Sequence, residues 1–258
     1  MPFAEYRGSG LSSGDDLSGM EKRWDVAWSG GAPNESVVKL AQNENWRWIR
    51  EHIPPPARIL EAGCGLAQWV QFLNDQGYEA YGLDYSLVAL EASLATWPGL
   101  KLLKGDLRQM PYDDSFFDGI VSFGAVEHDI EGPDAALREM WRVLSPGGIL
   151  YCTVPCMNGL RRTGLLAVTQ WLVRNRTIRR WTGRSPDSWF FEYVFTRREY
   201  AEIMRRTGFE LLCLLPLSPP VGGLCGQPGT LHRRIVTSFH SCCPWLMPHM
   251  MAAICRKV

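Results

Sequence analysis

Short apolar runs alternate with amphipathic stretches from residue 58 onward, and this alternation dominates the chain. Arg58–Ala62 (RILEA) predicts a strand closed by Gly63-Cys64-Gly65, and Trp69, Val70, Phe72 and Leu73 share one side of a following helix that ends near Gly77. Ala80–Leu83 predicts a second strand ending at Asp84. Ser86 is placed to cap a helix carrying Val88, Leu90, Leu94 and Trp97, and Pro98-Gly99 stops it. Leu100–Leu103 and Gly119–Phe123 predict a third and a fourth strand. A helix over Ala135–Leu144 runs into a Ser145-Pro146-Gly147-Gly148 turn, and Ile149–Val154 follows as a fifth strand. Strands separated by helices of this length imply right-handed crossovers, hence an α/β fold with a mainly parallel, doubly wound sheet.

The flanking segments break the pattern. Residues 1–40 are polar and Gly/Ser-rich, with Trp24 and Trp28 as isolated apolar anchors, which predicts a flexible arm or lid ahead of a single domain over 41–258. A helix is expected across Val37–His52, stopped by Pro54-Pro55-Pro56. After the fifth strand, Leu165, Val168 and Leu172 recur at helical spacing, and 155–195 is expected as a basic helical insertion. Thr196 with Glu199 forms a capping-box pattern that opens a helix to Thr207. Phe209–Leu215 and His249–Cys255 predict two further strands.

Composition adds little until the chain is divided. With 46% hydrophobic and 21% charged residues, disorder over most of the length is excluded. The net charge is zero, yet residues 1–139 carry 22 acidic against 11 basic side chains and residues 140–258 carry 5 against 16. The 8 cysteines form no CxxC pair and no secretory signal opens the chain, so free thiols, a cytoplasmic setting and no metal site are expected. Prolines at 216, 219, 220 and 228 interrupt the uncharged stretch Leu211–Leu231, and Pro244 and Pro248 interrupt Ile235–Cys255, so neither predicts a spanning helix.

In an open α/β sheet, ligands bind beyond the carboxyl ends of the strands. After the first strand, the glycines of Glu61-Ala62-Gly63-Cys64-Gly65 let the backbone lie against a ligand. Asp84, 19 residues past Gly65, ends the second strand, where a carboxylate can accept from both hydroxyls of a ribose. Together these features indicate a nucleoside-bearing cofactor. The third glycine of a dinucleotide fingerprint is replaced by Gln68, which disfavours a nicotinamide oxidoreductase, and no GxxxxGK[ST] loop supports a triphosphate. Acidic Glu61 beside the turn suits an ammonium group better than a pyrophosphate.

The E-x-G-x-G turn Glu61–Gly65, the strand-end Asp84, the Gly105-Asp106-Leu107 segment and the Pro146-Gly147-Gly148 turn, in that order, resemble the class I S-adenosylmethionine-dependent methyltransferases. The resemblance implies a three-layer Rossmann-like fold whose mainly parallel seven-stranded sheet has an antiparallel last strand. It implies S-adenosylmethionine as cofactor, with S-adenosylhomocysteine as product. On that basis Gly63, Cys64 and Gly65 contact the methionine part and Glu61 helps hold its amino group. Asp84 takes the ribose, Tyr85 lies against the adenine, and Gly105-Asp106-Leu107 meets the adenine edge. Phe123 and Gly124 line the methionine end.

Glu127-His128 follows the fourth strand, where the transferred methyl should project. An oxygen acceptor benefits from a base there, and His128 is the candidate; shaping the pocket is the alternative role. Cys156, on the loop after the fifth strand, and Trp171, in the insertion, are further candidates to line an acceptor. Residues 140–186 hold eight arginines and no acidic residue, interleaved with Leu165, Trp171, Ile178 and Trp181. Three readings of this stretch stay open. It is a solvated face, a surface for an anionic or amphiphilic acceptor or an anionic membrane, or a nucleic-acid footprint. The expected function is methyl transfer to a small or lipid-like acceptor at oxygen. A non-catalytic S-adenosylmethionine-binding regulatory protein and a nucleic-acid methyltransferase are the alternatives.

Overall fold

The computed structural model describes residues 3–8, 17–31, 33, 36–157, 188–217 and 250–258. Strand β2 (Arg58–Ala62) is buried from Ile59 to Ala62, Glu61 included, as a central parallel strand covered on both faces requires. It pairs in parallel with β3 (Glu79–Asp84) on one side and β5 (Phe117–Phe123) on the other. β4 (Lys101–Lys104) extends the sheet beyond β3, and β6 (Leu144–Pro155) extends it beyond β5. The last strand, β9 (Met250–Lys257), inserts antiparallel between β6 and β8 (Phe209–Leu217). The order β4-β3-β2-β5-β6-β9-β8 is the mainly parallel, seven-stranded sheet with an antiparallel last strand that the resemblance implies.

Alternate side chains of each strand feed two cores. Leu60, Ala62, Ile120 and Leu150 face α6 (Asp134–Val143) and α7 (Arg197–Arg206) through Leu137, Met140, Tyr200 and Met204. Ile59, Val121, Ile149 and Tyr151 face α3 (Glu44–His52) and α4 (Gln68–Asp75) through Trp46, Ile49, Trp69 and Leu73. Local signals set several ends of these elements. Ser86 accepts from the Ala89 N–H at the start of α5 (Leu87–Thr96), and Thr196 with Glu199 closes both bonds of a capping box on α7.

Two segments differ from the sequence expectation, and a third carries elements it did not specify. The helix expected over Val37–His52 is two: α2 (Ser36–Leu40) ends, and Asn43 restarts the chain as α3 by accepting from the Asn45 N–H. Ser145-Pro146-Gly147-Gly148 is a bulge inside β6 rather than a turn before it. The pairing with β5 shifts register across it, and Gly147 takes φ +77°. The segment expected as an arm contains β1 (Phe3–Gly8), which pairs antiparallel with β7 (Ser188–Val194), and α1 (Leu17–Trp28), which packs against α5. Most of the basic insertion, residues 158–187, lies outside the described residues, as does 218–249. Among the described residues, no helix is long and apolar enough to cross a membrane.

Candidate functional site

A cavity opens beyond the carboxyl ends of β2, β3 and β5, where the order of strands reverses across β2 and β5. Of the residues expected at a cofactor, Glu61, Gly63, Cys64, Gly65, Asp84, Tyr85, Asp106, Leu107, Phe123 and Gly124 all line it. Gly105 stands behind the wall, its N–H donating to the Asp84 carbonyl at 3.0 Å.

The turn after β2 is tied down on both sides. The Gly63 and Cys64 N–H groups donate to the Leu83 carbonyl at 2.8 and 3.1 Å, which binds the turn to the end of β3. Asp84 completes the link. One carboxylate oxygen accepts from Gly65 N–H at 2.7 Å and the other from Ser86 N–H at 2.9 Å. Burial pushes the Asp84 carboxyl above its usual range, against the pull of these two donors. Glu61 has a second task that the sequence does not show. Ala67, at the start of α4, has no side chain with which to cap, and the Glu61 carboxylate accepts from Val70 N–H at 3.2 Å in its place. Glu61 is buried, and that burial raises its carboxyl well above the ordinary value, aided by the charge of Asp84.

At the opposite side of the cavity, Asp106 is gripped by Arg108, which the sequence reading missed. The guanidinium donates to both carboxylate oxygens at 2.9–3.1 Å and to the Tyr85 hydroxyl at 3.3 Å, and it lies 3.5 Å from Asp129. Burial alone would raise the Asp106 carboxyl, but Arg108 and Tyr85 hold it below the usual range. Any donor that reaches Asp106 from the cavity therefore meets an acceptor already shared with Arg108.

The roof comes from α1. Trp24 and Trp28 both line the cavity, and the Trp28 ring lies over Gly65 so closely that a β-carbon there would come within 2.7 Å of it. Asp25 pins the helix in place by accepting from the Ser86 hydroxyl at 2.6 Å. What look like isolated anchors in the sequence are the cover of the site. Their partners lie some 40 to 100 residues away, beyond any local pattern.

The acceptor candidates divide. His128 lines the cavity, with its ring edge-on to Trp24 at 4.8 Å. Glu127 is buried behind the wall, 1% exposed, on the 3-10 turn Val126–His128. Cys156 is 1% exposed within the core of the α6 and α7 face and does not reach the cavity, because β6 carries it into the bridge with Phe195. Trp171 lies outside the described residues. Glu192 was not a candidate, yet β7 brings its buried carboxylate to Glu127 and His128. A single acid in the aromatic run Trp189–Phe195 was the signal that could have found it.

Residues 60–152 match a family model described as a methyltransferase domain. The chain is 29% identical to a demethylmenaquinone methyltransferase of Roseiflexus castenholzii over 211 residues, 74% of this chain and 84% of that protein. It is 31% identical over 130 residues to a probable S-adenosylmethionine-dependent methyltransferase of Mycolicibacterium smegmatis, covering 47% of this chain and 50% of that one. For several of these relatives the match thus spans about half of their length. A solved S-adenosylmethionine-dependent methyltransferase of Methanosarcina mazei superposes with a TM-score of 0.59 at 20% identity, over 82% of this chain and 97% of that one.

Proposed function

We propose that this chain, a class I S-adenosylmethionine-dependent methyltransferase, delivers the methyl group to an oxygen of a small, lipid-like acceptor. One observation carries the reading. A single cavity holds the glycine turn and the carboxylates of Asp84 and Asp106 together, with His128 also on its wall.

The residues fit the cofactor. A β-carbon at Gly63 or Gly65 would run into Ala125 or Trp28, both on the cavity wall, so only glycines let the turn lie there, and the half-buried Asp84 carboxylate lines the same cavity. We assign the methionine amino group to Glu61, the ribose to Asp84, the adenine to Tyr85 and Asp106, and the methyl-bearing end to Phe123 and Gly124. Bound S-adenosylmethionine supplies a methyl made electrophilic by its sulfonium. The protein's part is to hold the acceptor in line and to keep water out. Phe123 is fixed for this by stacking on Trp69 at 4.7 Å, and the indoles of α1 cover the cavity. The aromatic wall and the relatives named for demethylmenaquinone support an apolar acceptor.

His128 is the residue we assign to promoting loss of the acceptor hydroxyl's proton, because its ring lines the cavity. His128→Ala is expected to lower turnover by roughly 10²–10⁴-fold while cofactor affinity stays within a factor of about two. Formation of S-adenosylhomocysteine, followed with hydroxyl-bearing apolar acceptors and their O-blocked analogues, tests the whole reading. Turnover should require the free hydroxyl. Equal turnover with the blocked analogue would place the methyl elsewhere.

Glu61 gives a separate expectation. Its carboxyl is raised by burial, so a bound ammonium and sulfonium favour the ionised form and draw its proton off. Cofactor binding should therefore release protons, and affinity should rise with pH through the raised pKa of the free protein. Titration calorimetry in buffers of different ionisation enthalpy measures the release. Glu61→Gln should abolish it, and a heat independent of buffer in the parent protein would refute the assignment.

A further inference from the structure

We propose that Glu127, His128 and Glu192 form a divalent-cation site at the acceptor end of the cavity. Two carboxylate oxygens and an imidazole nitrogen lie within 4.8 Å of one another there, contributed by the 3-10 turn after β5 and by β7. Donors 90–120° apart on an ion with bonds of about 2.1–2.2 Å stand roughly 3.0–3.8 Å apart, so the three groups need to close by about an ångström, within reach of side-chain rotation. The Tyr193 hydroxyl donates to the Ile130 carbonyl at 2.8 Å and so joins β7 to the segment after the turn, while Phe195 N–H, just past β7, donates to the Pro155 carbonyl of β6 at 3.1 Å.

An independent observation points to a missing ligand. The Glu127 Oε2 atom is fully buried and has no hydrogen-bond partner, on a side chain 1% exposed. Native proteins rarely leave a buried carboxylate oxygen unanswered, and here a second buried carboxylate, Glu192, stands beside it. A divalent cation answers the unpartnered Glu127 oxygen with the Glu192 carboxylate as a neighbouring ligand. Two carboxylates and an imidazole, a hard and borderline donor set, suit Mn²⁺, Mg²⁺ or Zn²⁺.

The site's use in the reaction rests on the oxygen reading above, whereas its existence does not. In that role the His128 ring is a ligand, and the cation's charge lowers the pKa of the acceptor hydroxyl. The hydroxyl proton goes to solvent water. The oxygen lone pair then forms the new O–CH₃ bond as the S–CH₃ bond breaks, and its electron pair stays on the sulfur of S-adenosylhomocysteine.

Full-length protein stripped with a chelator is titrated with Mn²⁺ by calorimetry and by electron paramagnetic resonance, without cofactor or acceptor. One ion per chain is expected, and Glu192→Gln and Glu127→Gln should each weaken binding at least tenfold. Both variants should still bind S-adenosylmethionine, which shows that they fold. Absence of stoichiometric binding of Mn²⁺, Mg²⁺ and Zn²⁺, or binding untouched by both substitutions, overturns the site and leaves two carboxyl groups sharing a proton. An ion that binds without changing turnover of a hydroxyl acceptor overturns its catalytic role. Binding together with methylation of an O-blocked acceptor refutes the oxygen reading and leaves the cation site standing.

Discussion

Asp84→Ala will weaken cofactor binding by roughly a hundred- to ten-thousandfold, because two hydroxyl contacts to a charged acceptor are worth about 1.5–3 kcal/mol each. The carboxylate also shapes the protein before any ligand arrives. It takes the N–H groups of Gly65 and Ser86, one on each oxygen, and so joins the turn after β2 to the start of α5. On the proposed assignment, removing it loses contacts to the ribose and loosens the cradle that the ligand enters. Stability should fall much less than affinity. Burial already holds the Asp84 carboxyl at an unfavourable, raised pKa, and deleting a poorly solvated charge recovers part of what the lost hydrogen bonds cost. Calorimetric titration beside a thermal melt separates the two quantities. An unchanged dissociation constant would remove Asp84 from the binding site, and a melt that fell as far as the affinity would make its role structural.

The contrast between Asp84 and Arg108 shows what a sequence can disclose. Asp84 was readable because its position at the end of an apolar run, a fixed distance past a glycine turn, follows from strand length alone. Arg108 lies two residues from Asp106, yet nothing local says that its guanidinium will close on both oxygens rather than point to solvent. The same division runs through the fold. Ser86 and the Thr196–Glu199 box act within one helical turn, so their signals survive in the sequence. The Ser145–Gly148 stretch also carries a strong local signal, for a turn, but pairing of β6 with β5 overrides it and turns it into a bulge. Trp24, Trp28 and Glu192 owe their functional positions to tertiary packing. The first two reach the cavity because Asp25 ties α1 to Ser86, and Glu192 reaches His128 because β7 lies against the turn after β5. Neither contact leaves a periodicity to be read.

Gly63→Ala should be the most damaging glycine-to-alanine change among the described residues, costing about 2–5 kcal/mol of stability and most of the cofactor affinity. Two separate penalties add. Gly63 sits at φ +79°, a left-handed conformation that costs an L-residue about 1–2 kcal/mol. A β-carbon there would stand 2.5 Å from the Ala125 side chain, and overpacking of this kind costs about 1–3 kcal/mol. The turn cannot relieve the clash by lifting away, since Gly63 and Cys64 both donate to the Leu83 carbonyl. Ala125 lines the same cavity next to the turn, so movement of either narrows the space for the ligand. Ala125→Gly makes the two penalties separable. In that background the steric part of Gly63→Ala vanishes and the conformational part remains, so the double variant should regain roughly half of the lost stability. Urea denaturation of the four proteins in the cycle measures this directly. A cycle with no coupling between the two positions would mean that the turn is not packed against the start of the 126–128 helix, and that its backbone geometry alone carries the cost.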